Sequence, residues 1–239
     1  MPAAQPRGPA GGIMQIAAVI ISLAVLMCVE AASAQTTYRL SVSRHDAVAD
    51  LSDADVKRIL SRASKMLQRN TGFACNVTFK LKGPIRTFAS PDGPIVNRDN
   101  IDAVHLVDAD VTGVDFHVKL VKEIHFCRPD LPNPDGPFEG CSYSPPDFRS
   151  MILVHPNLHT APKYPDHLLW PHEFGHLTGL GHRRDPFGHD RRALMTPCSL
   201  AEFAGLPATR VRVNRRECRR LLSGPGAQAA EAFGCPSGI

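Results

Sequence analysis

The run from His172 to His182 reads H-E-F-G-H-L-T-G-L-G-H, and it restricts the local fold more tightly than any other part of the chain. On a helix, His172 and His176 leave the same face one turn apart, so both imidazoles can hold one metal ion. Glu173 lies beside them, where its carboxylate can reach a water on that ion without taking a coordination position, as a general base must. The third histidine comes from beyond the helix. Gly179 permits a sharp turn at which a side chain would interfere, and His182 can then fold back onto the metal. Three neutral nitrogen donors leave the fourth position of a tetrahedral zinc open, the arrangement of a catalytic and not a structural site. Pro171 directly precedes His172. Proline inside a helix removes a hydrogen bond and crowds the preceding turn, so the helix either begins near Trp170 or is kinked there.

A short loop after His182 stands Ala193-Leu194-Met195-Thr196-Pro197. With this second feature the chain resembles the metzincin clan of zinc endopeptidases, in which the extended motif is followed by a tight turn carrying a methionine beneath the metal. The A-L-M-x-P form is most similar to that of matrixins. The resemblance implies an α+β zincin catalytic domain: a twisted mixed sheet, a long backing helix and an active-site zinc helix. It implies Met195 as the floor of the site and one catalytic zinc ion, held by His172, His176 and His182. It also implies peptide-bond hydrolysis with Glu173 as general base. Gly140-Cys141-Ser142-Tyr143-Ser144 falls where the clan's edge strand runs beside the cleft, so Gly140, Ser142 and Tyr143 are expected to meet substrate backbone, since extended peptides bind such edges by adding a strand. Two positions depart from the clan. Arg183, after the third histidine, is not a residue expected there of matrixins, astacins or reprolysins, which leaves the family within the clan unassigned. Pro197 stands where astacins and serralysins carry a tyrosine that assists the transition state, so no tyrosine helper is expected.

The first residues read as an export signal. Arg7 lies in a short basic leader, Ile16 to Val29 is apolar, and Ala32-Ser33-Ala34 is a small-residue cleavage site. A membrane anchor is the competing reading, but the apolar run falls short of the roughly 20 residues a spanning helix needs. The expectation is a signal peptide over 1–34, a secreted or periplasmic product without a membrane anchor, and a single domain over 35–239 with a loose tail over 224–239. Of seven cysteines, Cys28 leaves with the signal. The remaining six suit disulfides in an oxidising compartment, and Cys127 with Cys141, which bound one Pro/Gly-rich loop, is the first pairing expected. Matrixins are kept latent by a pro-segment cysteine on the metal. Between Ala34 and the first strand near Tyr38 there is no cysteine, so signal removal alone is expected to yield an active enzyme, restrained if at all by a separate inhibitor or by metal supply.

The net charge of +4 owes much to Arg210, Arg212, Arg215, Arg216, Arg219 and Arg220. These read as a solvated helix face, and no nucleic-acid motif accompanies them. Asp130, Asn133, Asp135 and Glu139 offer oxygens for calcium but lack the spacing of a calcium loop, and a plain surface loop is the preferred reading. His155, His159, His167 and His189 read as loop or surface histidines.

Tyr38 to Val42, Cys75 to Leu81, Ala103 to Val107, Phe116 to Val121 and Met151 to Val154 have strand character. Ser52 opens a helix as N-cap with Asp55 in the capping-box position. Val56, Ile59, Leu60, Ala63, Met66 and Leu67 give it an apolar face, and Gly72 ends it. Pro129 to Pro146 reads as loop, Ser199 to Ala204 as a helical turn and Asn214 to Leu222 as a final helix. Two other functions fit the same residues: a zinc hydrolase acting on a non-protein amide such as cell-wall material, and a secreted binding protein with a vestigial site. The latter is disfavoured because Glu173 and all three histidines are present.

Overall fold

The computed structural model describes residues 35–69, 74–89, 93–127, 135–142, 148–155, 166–183, 193–196 and 211–226. The 1–34 leader, Gly72, Asp130, Asn133, Tyr143, Ser144, His159, His189, Pro197, Cys198, Ser199 to Ala204, Arg210 and Cys235 lie outside the described residues. In chain order the elements are β1 (Thr36–His45), α1 (Asp53–Gln68), β2 (Val77–Leu81), β3 (Arg86–Phe88), β4 (Ile95–Val96), α2 (Ile101–Leu106), β5 (Phe116–Val121), β6 (Glu123–Phe126), β7 (Asp135–Phe138), β8 (Gly140–Cys141), β9 (Ser150–Val154), α3 (Asp166–Leu177) and α4 (Arg215–Ser223).

The main sheet is mixed, in the order β2-β1-β5-β9-β8, with β3 also pairing β1. Its inner pairings are parallel, and β8 runs antiparallel to β9 at the edge, Gly140 opposite Leu153 and Cys141 opposite Ile152. Along β5 the side chains alternate faces. Phe116, Val118 and Leu120 join Leu40, Val42, Met151 and Leu153 in the larger core, which also takes the apolar faces of α1 and α3. Val121, Ile152 and Val154 enter a second core with Val104, Ile124 and Phe126, beside the smaller sheet β4-β6-β7. Both faces of β5 are therefore covered, and all six of its residues are buried, as parallel strands inside a two-faced sheet require.

Helix α1 begins as the sequence indicates. Ser52 caps it, Asp55 completes a capping box, and Val56, Ile59, Leu60, Ala63, Met66 and Leu67 are buried. It ends at Gln68, before Gly72. Pro171 lies inside α3, which begins upstream at Asp166; the alternative of a start near Trp170 is excluded.

Two readings are corrected. Ala103 to Val107, expected as a strand, lies mostly in the helix α2. Asn97 Oδ1 accepts from the backbone N–H groups of Asp99 and Asn100, a side-chain turn that launches the helix. Ile101, Val104 and His105 are then buried at helical spacing. The Pro129 to Pro146 region is not all loop, because it carries β7 and β8. Pro137 sits in β7, the outer strand of its sheet, where a missing N–H is tolerated. Two disulfides are described: the expected Cys127–Cys141, and Cys75–Cys218, which joins the segment before β2 to α4. Among the described residues, no helix is long and apolar enough to cross a membrane.

Candidate metal centre

Helix α3 carries His172 and His176 on a frame fixed by aromatic packing. Phe174, between the two helical histidines, lies within 4.8 to 5.0 Å, centroid to centroid, of Tyr38, Phe79 and Phe116, so one face of α3 is held against β1, β2 and β5 while His172 and His176 point away. Beyond the helix, Gly179 has φ +82° and its N–H bonds to His176 O at 2.9 Å. An L-residue is strained in that conformation, and the turn brings His182 back.

His172, His176 and His182 form a cluster that can hold a metal ion. His172 Nδ1 lies 2.6 Å from Leu194 O, and His176 Nδ1 lies 2.7 Å from Leu180 O. A carbonyl only accepts, so these contacts assign the ring proton to Nδ1 and leave the Nε2 lone pairs facing inward. His182 Nε2 is 3.1 Å from His172 Nε2 and 3.3 Å from His176 Nε2. Donors at tetrahedral positions around one zinc are about 3.3 Å apart, given zinc–nitrogen bonds of roughly 2.0–2.1 Å. The residues fit the ion. Burial, aided by the neighbouring imidazole of His176, pushes His172 down to about 3. Burial, with His176 and His172 beside it, also holds His182 well below its ordinary value. The rings are thus kept in the neutral form that binds metal.

The turn at Ala193–Thr196 lies under this cluster. Thr196 N bonds to Ala193 O, Arg183 N bonds to Met195 O at 2.9 Å, and Leu194 supplies the carbonyl that orients His172. Met195 is fully buried. A Cβ added at Gly175 would come within 2.4 Å of Met195 Sδ, so the glycine inside the H-E-F-G-H run is what lets the methionine approach the helix.

Glu173 is 3 % exposed, and its Oε2 has no hydrogen-bond partner among the described residues. Burial raises its pKa to about 8, Ser142 works in the opposite direction, and the nearby Glu139 carboxylate adds to the rise. Edge strand β8 presses on it: a Cβ at Gly140 would meet Glu173 Oε1 at 2.4 Å. Gly140 and Ser142 are thus brought beside Glu173, while Tyr143 lies outside the described residues. Glu139, one of the oxygens considered for calcium, faces inward and is buried. His155 and His167 do not join the histidine cluster; His155 Nδ1 is 3.9 Å from Asp166 Oδ2 at the start of α3. The described arginines near the end, Arg212, Arg215, Arg216 and Arg219, are exposed and Arg220 partly so. Reading the sequence missed Gly175, and missed that Gly140 and Glu139 lie beside Glu173, because their partners are remote along the chain.

No protein-family model matches the chain, and no curated protein matches it. Among solved structures it is similar to metalloproteinase-II from Bacteroides fragilis, with a TM-score of 0.45 and 13% identity, over 80% of this chain and 54% of that one. The chain spans about half the length of that protein. The chemistry of the site is therefore read from its own residues.

Proposed function

We propose that the protein is an exported zinc-dependent endopeptidase. The reading is carried by the three histidine Nε2 atoms converging at the spacing a tetrahedral ion requires, with Glu173 as their sequence neighbour. His172, His176 and His182 hold the ion. When bound, zinc supplies a Lewis acid that polarises both the scissile carbonyl and the attacking water. Glu173 accepts the proton of that water and delivers it to the departing amine. Burial raises the pKa of Glu173, and an ion held by the three histidines would favour its carboxylate form. The edge of β8 at Gly140, with Ser142 and Tyr143 after it, takes the extended substrate by strand addition. No side-chain nucleophile is needed, so no covalent intermediate forms.

The test is digestion of casein or gelatin by the purified chain with zinc, run beside a peptidoglycan assay, with Glu173→Ala as control. Proteolysis lost in Glu173→Ala supports the reading. Release of cell-wall fragments with intact casein transfers the same site to a non-protein amide, and inactivity of the zinc-loaded protein on every substrate refutes the enzyme.

A further inference from the structure

Arg183 is one of the two positions at which the chain departs from the clan it resembles, and the structure gives it a specific connection. Its guanidinium meets one carboxylate through two parallel hydrogen bonds, Nε to Glu217 Oε1 at 2.7 Å and Nη2 to Glu217 Oε2 at 2.8 Å. The Glu217 side chain is 5% exposed and that of Arg183 is 23% exposed, so the pair is shielded from water and holds its geometry better than a surface pair.

Glu217 is itself immobilised. Its Oε2 also accepts from Asn214 N at 2.8 Å, closing the capping box of α4. Cys218 beside it is bonded to Cys75, and Tyr38 Oη, from β1, donates to Leu221 O at 2.7 Å. The carboxylate therefore belongs to a block tied to the main sheet. At its other end, Arg183 follows His182 directly and donates its backbone N–H to Met195 O.

His182 has the greatest need of such an anchor. His172 and His176 ride on α3, whereas residues 180–183 follow the Gly179 turn without regular secondary structure. Fixing Arg183 fixes the peptide that carries His182. We propose that Arg183, clamped by Glu217, is a positioning residue that sets the third ligand of the metal site. The inference rests on the metal-site reading above.

The experiment compares the full chain with Arg183→Gln, Arg183→Lys, Glu217→Gln and, as a control for general loss of stability, Ser52→Ala. Zinc affinity is measured by competition with a chromophoric chelator, and ligand geometry by the visible absorption of the cobalt(II)-loaded protein. Arg183→Gln and Glu217→Gln should each bind zinc about 10–100-fold more weakly, the usual effect of removing a partner that orients a ligand, and alter the cobalt spectrum. Arg183→Lys should lose less, because lysine keeps the charge but not the paired geometry. Ser52→Ala removes the cap of α1, lowers stability without touching the pair or α4, and should leave affinity and spectrum unchanged. Should Arg183→Gln fail to fold, Glu217→Gln decides, since it keeps the shape of the side chain. Unchanged affinity and spectrum in the folded pair variants overturn the proposal, as does an equal loss in Ser52→Ala. A parent that binds neither metal overturns the metal-site reading instead.

Discussion

At the scale of the residue, the site depends on groups that must be close without touching. Glu173→Ala should keep the metal, because the carboxylate is not among the converging donors, while activity falls by about 10²–10⁴, the usual contribution of a general base. His176→Ala should lose the ion. Elemental analysis and turnover on one preparation of each variant separate the two roles, and zinc lost from Glu173→Ala would count against the assignment. A subtler outcome follows from Gly140. An alanine there would place its Cβ 2.4 to 2.6 Å from the Oε1, Cδ and Cγ atoms of Glu173, closer than real contacts allow. Gly140→Ala should therefore cut turnover more than tenfold, a loss within the range a base contributes, while zinc content is unchanged. Normal turnover would show that β8 yields easily. The clustering of the three histidines was legible because His172 and His176 share one helix face and Gly179 permits the turn that returns His182. The demands on Gly140 and Gly175 were not, since they arise from Glu173 and Met195 arriving from other parts of the fold.

Elements were legible where local chemistry decides them and obscure where pairing does. Ser52 and Asp55 announce α1 because the capping box is closed within one turn, and Phe116 to Val121 announces β5 by β-branched and alternating apolar residues. Replacing Ser52 by alanine removes the oxygen that accepts from Asp55 N and should cost about 1 kcal/mol of stability, read as a lower urea midpoint with an unchanged slope. A change below a few tenths would mean that solvent replaces the cap. Asn214 and Glu217 form the same device on α4, yet its second function, holding Arg183, needs the tertiary fold. The short strands β3, β4 and β8 have two or three residues each. Their pairing partners, and not their own periodicity, make them strands. Helix α2 was misread because Ala103 to Val107 is short enough for apolar residues to suit either period, and the deciding Asn97 turn stands upstream of it.

At the scale of the molecule, the sheet separates two environments with different responses to solvent. On the face away from α1 and α3, the side chains of His117 and Lys119 are buried, and α2 contributes His105. Lys119 Nζ donates to Val107 O, and His117 Nδ1 pairs with Ser41 Oγ at 2.8 Å. Burial, reinforced by Lys119, pushes His105 down to about 3 and His117 to about 4. Unfolded, both have pKa values near 6.5. The folded chain thus keeps them neutral at pH values where the unfolded chain takes up protons, so their contribution to stability is complete above about 6.5 and is lost as pH falls towards the folded values. Glu173 has the opposite sign. In the metal-free chain its raised pKa makes stability decline as pH rises from about 4.5 towards 8, and the two trends overlap in any single titration. A variant comparison separates them. Urea unfolding of the metal-free parent and of His105→Gln at pH 7 and pH 5 should show the parent losing about 2 kcal/mol more than the variant, since the interval below 6.5 spans about 1.5 pH units at roughly 1.4 kcal/mol each. Glu173 contributes equally to both proteins and cancels. Parallel losses in parent and variant would mean that His105 takes up its proton in the folded state, and that the face behind the sheet admits more water than its burial indicates.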